Sequence, residues 1–184
     1  MLPTFYQTYL ENNLSQVEYL LLQILINLLQ SLKKVSLETL ATSLPIPILF
    51  ERRRKKIQRF LSFPNLSIEK IWFPLVTAWL STYFERGKII YVVMDRTNWS
   101  QINLFMVSIV WDKRAFPVYF TLLPKLGSSN IDEQKKILSQ VVPRFQNYKI
   151  WVLGDREFCS VKLANWLRER NVYFCLRLKK NHFV

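Results

Sequence analysis

The sequence predicts an α/β protein in which an N-terminal helical segment precedes a mixed sheet built in the order βββαβαβ. Three observations carry this. Apolar residues recur at helical spacing as far as Phe84; from Lys88 the pattern changes to continuous apolar runs of strand length; the later runs alternate with helical stretches, as parallel returns require.

The helical part begins with Ser15 and Glu18, a capping box, after which Val17, Leu20, Leu21, Ile24, Leu25, Leu28 and Leu29 follow the helical period. This run, Val17 to Leu32, contains Glu18, Gln23, Asn27 and Gln30 and falls short of the roughly 20 residues that span a bilayer, so it reads as a buried helix without a membrane partner. No base precedes Lys33, which argues against a secretory signal. Ser36 caps a short helix, Leu37 to Leu44; Pro45 and Pro47 stop it, and another helix runs from about Ile48 to Phe63. The expected result is a compact three-helix unit over residues 1–63. A linker around Leu61 to Ser67 leads to a second domain over 64–184, whose first helix, Ile68 to Phe84, is bent or broken by Pro74 and stopped at Gly87.

Half of the 184 residues are apolar, enough for a full core, and the formal net charge is +13. Residues 1–50 carry 2 bases against 3 acids, whereas 51–60 alone reach +5 through Arg52, Arg53, Arg54, Lys55, Lys56 and Arg59. Such a concentrated charge favours a polyanion. Two helices with a tight break, the second basic, match the way a helix-turn-helix lays a helix along DNA; the alternative is a solvated basic face on an ordinary bundle. Cys159 and Cys175 lack metal-ligand spacing and the single His182 stands near the end, which argues against zinc and Ser-His or Cys-His chemistry. The cysteine usage fits a reducing compartment, the cytoplasm.

In the second domain, Ile89 to Met94 is a strand leading to Asp95; Leu104 to Trp111 and Phe116 to Leu123 complete an antiparallel meander through the turn Asp112, Lys113, Arg114. A helix capped by Asn130, with Glu133 at its third position, runs to about Phe145; strand Ile150 to Leu153, helix Ser160 to Arg170 and strand Tyr173 to Leu178 follow. Asp95 and Asp155 each leave a strand that reads as buried on both faces. If those strands are parallel neighbours, the two carboxylates lie one strand spacing apart, about 4.8 Å, and suit Mg²⁺ or Mn²⁺ in phosphoryl transfer. The alternative is that both are turn or cap residues.

Met94-Asp95-Arg96-Thr97-Asn98-Trp99 and Leu153-Gly154-Asp155-Arg156-Glu157-Phe158 resemble the first two acidic motifs of DDE-type insertion-sequence transposases, particularly the insertion-sequence-four-like group. The similarity covers roughly residues 45–184. It implies an RNase H-like domain with the first and fourth strands adjacent, Asp95 and Asp155 as catalytic metal ligands, and Thr97 as the hydroxyl of the D-x-T motif. The stretch from Tyr173 to Asn181, with Arg177, Lys179 and Lys180, is similar to the family's basic strand near DNA. Double-stranded transposon ends and a second copy in a synaptic complex are the implied partners. The family's third ligand, a Glu in a Tyr-x2-Arg-x3-Glu-x6-Lys motif, lies well downstream; Glu157 aligns with the second motif instead. The expectation is therefore an incomplete RNase H-like domain, an N-terminal fragment of a transposase that is inactive alone. A non-catalytic DNA-binding remnant or regulator, and another RNase H-like nuclease, are the competing readings.

Overall fold

The structure, a computed structural model, describes residues 4–178, so Lys179, Lys180 and His182 lie outside the described residues. The chain divides into two compact units, one ending at Leu75 and the other beginning at Val76.

The first unit holds α1 (Thr4–Asn13), α2 (Gln16–Leu32), α3 (Leu37–Ser43) and α4 (Phe50–Leu61). The Ser15 capping box forms as its spacing predicts, with the Ser15 N–H and hydroxyl both donating to Glu18 at 2.8 and 2.7 Å. Lys33, in the left-handed region, stops α2, and Ser36 caps α3. Helix α1 was not expected, because its sequence, TFYQTYLENN, shows no clean apolar stripe. It is held by packing: Leu10 and Leu14 are buried with Tyr19, Ile71 and Leu75. The same cluster explains why this unit runs on to Leu75 and does not stop at residue 63. A second cluster, Leu21, Leu25, Leu40, Ala41, Leu44, Ile57 and Phe60, ties α2, α3 and α4 together.

Pro74 acts as anticipated, and the structure shows how. Residues Ile68–Trp72 form a π-helical turn, in which the Phe73 N–H donates to the Ile68 carbonyl, and regular α5 (Phe73–Tyr83) begins only there. A proline has no N–H for the Lys70 carbonyl one turn back; the Tyr9 hydroxyl donates to it instead, at 2.8 Å.

In the second unit, β1 (Ile89–Trp99), β2 (Ile102–Trp111), β3 (Arg114–Leu123), β4 (Lys149–Gly154) and β5 (Tyr173–Leu176) form one mixed sheet in the order β3-β2-β1-β4-β5. The β2–β3 turn places Asp112 and Lys113 both at positive φ, the geometry of a tight primed hairpin turn. Helix α6 (Ile131–Val141) joins the meander to β4 and α7 (Val161–Arg168) joins β4 to β5, so both returns are parallel, as the βαβαβ pattern predicts.

Two expectations are corrected. Strand β1 does not end at Asp95 but continues to Trp99, because β2 goes on pairing with it after β4 has stopped. Nor are β1 and β4 buried on both faces. Ile90, Val92, Met94, Ile150 and Val152 are buried, whereas Ile89 and Tyr91 are each 44% exposed, so one face of these strands is covered and the other is open.

Candidate active site

The site is set by the register of the two central strands. β1 and β4 pair in parallel from Ile89↔Lys149 to Met94↔Gly154, and Asp95 and Asp155 are the next residue on each chain. Neighbouring backbones in a sheet lie about 4.8 Å apart, and residues in register on parallel strands face the same way. Met94 is buried, so Asp95 points to the open face, and Asp155, still extended at φ −75° and ψ −178°, carries the alternation of β4 one residue further. Both aspartates are exposed.

The Asp95 carboxylate accepts from the Arg96 N–H at 2.8 Å, and Asp155 lies 3.5 Å from Arg177. The second contact comes from the sheet itself: the Arg177 N–H donates to the Gly154 carbonyl, which sets Arg177 beside Asp155 at the end of β5. With side chains 63% and 67% exposed, this is a loose pair that an incoming cation can displace. Thr97 is exposed two residues beyond Asp95 and therefore on its face; Arg156 is exposed in the short 3-10 turn after Asp155.

Glu157 is placed differently. Both its oxygens accept from Arg96, Nε at 3.0 and 2.9 Å and Nη2 at 2.7 Å, with the pair only 15% and 22% exposed. These hydrogen bonds raise Arg96 above the ordinary arginine value despite its burial. Arg96 Nη1 also donates to Asn98 and Asn103, and buried Asn103 donates onward to the Gly127 carbonyl. Sequence reasoning assigned Arg96, Asn98 and Asn103 no role. The available signal was Asn103, a polar residue two positions from Phe105 and therefore on the buried face of β2.

Two oxygen donors at adjacent strand ends fit a magnesium or manganese ion, which takes one or two carboxylates and completes its shell with water and substrate oxygens. Among the described residues no cluster of three or more His, Cys, Asp and Glu forms.

The basic run of α4 divides in two. Arg53 donates to the Thr42 and Leu44 carbonyls at 3.1 Å each, satisfying the end of α3, and Arg54 lies 3.4 Å from Glu38. Arg52, Lys55, Lys56 and Arg59 line an open cleft of 660 Å³ beside Val17, Glu18 and Leu21 of α2.

Residues 94–183 match the family model for the transposase DDE domain, a segment that opens at Met94 and takes in Asp155, Arg177, Lys179 and Lys180. The match covers just under half of the chain. Among solved structures, the catalytic core domain of BIV integrase in crystal form I is similar at TM-score 0.36 and 11% identity, over 50% of this chain and 56% of that one. The chain thus spans little more than half of that structure. None of the curated proteins matches this chain.

Proposed function

We propose that this chain is a transposase of the insertion-sequence-four-like group. Asp95 and Asp155 would hold Mg²⁺ or Mn²⁺ in an RNase H-like domain, as part of a site for cleavage at transposon ends and strand transfer; among the described residues no third carboxylate joins them, so the chain alone binds metal and DNA without cutting. The observation that carries the reading is the parallel register ending at Met94↔Gly154, which delivers both aspartates to one open face. Bound there, divalent ions stabilise the attacking and leaving oxygens of an in-line phosphoryl transfer. The chain's own residues do the rest. Asp95 and Asp155 supply hard oxygen donors, Arg177 offers a cation at the edge of the site for a DNA phosphate, and Thr97 presents a hydroxyl beside Asp95.

The helical unit serves as the DNA-binding segment through Arg52, Lys55, Lys56 and Arg59, whose charges stand in one stripe along α4. We place the protein in the cytoplasm, acting on double-stranded DNA as a pair of copies at the synapsed ends; the free Cys159 and Cys175 fit a reducing compartment.

The test is Mn²⁺ binding, followed by paramagnetic resonance of the free ion. Weak, saturable binding is expected for the unaltered chain and its loss in Asp95→Asn and Asp155→Asn; binding at the unaltered level in both variants refutes the site. The second reading, a DNA-binding regulator without catalysis, is favoured by one observation: Arg96 occupies Glu157, leaving two carboxylates on the open face.

A further inference from the structure

The backbone ladder between β1 and β4 stops at Met94↔Gly154, one residue short of both aspartates. Beyond it β1 goes on pairing with β2, and after Asp155 the other strand gives way to a 3-10 turn. Past this point the ion pair of Arg96, adjacent to Asp95, with Glu157, two residues after Asp155, joins the two segments again.

We infer that Arg96 and Glu157 form a positioning clamp that holds the Asp95 and Asp155 backbones in register so that both carboxylates meet one ion. The inference rests on reading those aspartates as metal ligands. The clamp stands on the opposite face of β1 from Asp95, because consecutive strand residues alternate, so it acts through the backbone and not by touching the ion. Its geometry is fixed at several points. Arg96 reaches Glu157 through Nε and Nη2, and its Nη1 is fixed by Asn98 at 2.7 Å and Asn103 at 3.0 Å. Asn103 is itself wholly buried and donates to the Gly127 carbonyl at 2.7 Å, which anchors the guanidinium to β2 and the loop beyond β3. A planar fork with five donors holds the Glu157 carboxylate through two nitrogens while the third serves both asparagines; a lysine ammonium, with three donors on one atom, cannot reproduce that geometry. Glu157, with both oxygens engaged, is a positioning residue and not the third ligand.

The full chain tests this with two readouts. One is the Arg96 Nε–H resonance, expected to be protected from exchange in the unaltered chain and exposed in Glu157→Gln; an exposed resonance in the unaltered chain overturns the clamp itself. The other is the Mn²⁺ dissociation constant beside a thermal melt. Arg96→Lys is expected to weaken Mn²⁺ binding by about 10-fold, the usual scale for groups that orient ligands. Arg96→Met with Glu157→Met removes both charges together and so keeps the fold where a single change leaves a buried charge; it is expected to melt cooperatively and to bind Mn²⁺ as weakly as Arg96→Lys. Unaltered affinity in a cooperatively melting variant overturns positioning. Tighter binding in Arg96→Lys also overturns it, by showing that Arg96 was withholding Glu157 as a ligand. Failure of the metal-site reading looks different: Asp95→Asn and Asp155→Asn then bind Mn²⁺ like the unaltered chain, whatever the Arg96 resonance shows.

Discussion

Gly154 shows how tightly the site is built around single atoms. A Cβ placed there meets Leu176 Cδ2 and Phe158 Cβ at 2.9 Å and Met94 Cε at 3.2 Å, so the last residue before Asp155 has no room for a side chain. Phe158 is itself buried and stacks on Phe105, and cannot retreat without disturbing the core. Gly154→Ala is therefore expected to destabilise the protein by about 1–3 kcal/mol, the usual cost of overpacking, and to weaken Mn²⁺ binding by moving Asp155. Chemical denaturation and the Mn²⁺ titration check the two effects; a variant as stable as the parent refutes the close packing. Within the Asp-Arg-Thr-Asn and Gly-Asp-Arg-Glu strings, residue types pointed to the aspartates because strand-end carboxylates have a recognisable chemistry. The role of Glu157 was not legible, since its meaning depends on Arg96, 61 residues away in the chain.

At the scale of the element, α4 carries bases of two kinds, those engaged within the unit and those we propose meet DNA. Replacing Arg52 and Lys56 by Ala is expected to flatten the slope of log DNA affinity against log salt by about 2, with the melting temperature unchanged, since each base neutralises about one phosphate. Arg53→Ala should do the reverse, leaving the slope intact and costing about 1 kcal/mol by leaving the part-buried Leu44 carbonyl without its donor. Salt titrations and melts on the same preparations decide; a flattened slope in Arg53→Ala returns that residue to the DNA face. Helix α6 carries a pH-sensitive element at its start. Burial opposes ionisation of Glu133, but hydrogen bonds from Lys125 and the Asn130 backbone outweigh it and hold the carboxyl below the ordinary glutamate value. A depressed folded-state value stabilises the protein above the unfolded-state range, and that contribution is lost as pH falls through the folded value. Melting temperature should therefore drop on acidification through the usual glutamate range and below it, with a shallower drop in Glu133→Gln; parallel curves for the two proteins would falsify the assignment.

At the scale of the whole molecule, the net charge of +13 and a site of two aspartates make different demands. The charge favours a polyanionic partner, and the DNA binding we propose should fall steeply with salt. Cleavage needs ions held in fixed geometry, and the two aspartates we propose as ligands would leave them under-coordinated while Arg96 holds Glu157. We expect the purified chain to bind end-bearing DNA in Mn²⁺ without nicking it. Metal-dependent nicking that disappears in Asp95→Asn and Asp155→Asn would show that another residue completes the site.

The sequence by itself determined the order of elements in the sheet unit, the caps at Ser15, Ser36 and Asn130, the break at Pro74 and the two aspartates, because periodicity, capping and strand-end chemistry are local properties. Tertiary structure alone decided the rest. Helix α1 exists through burial of Leu10 and Leu14 against Ile71 and Leu75, far along the chain. The length of β1 beyond Asp95 depends on β2, and its continuous apolar run does not say which face is buried, which the packing of the whole unit decides. The division of the α4 bases and the engagement of Glu157 depend on partners brought together only by folding, and no local pattern encodes a partner.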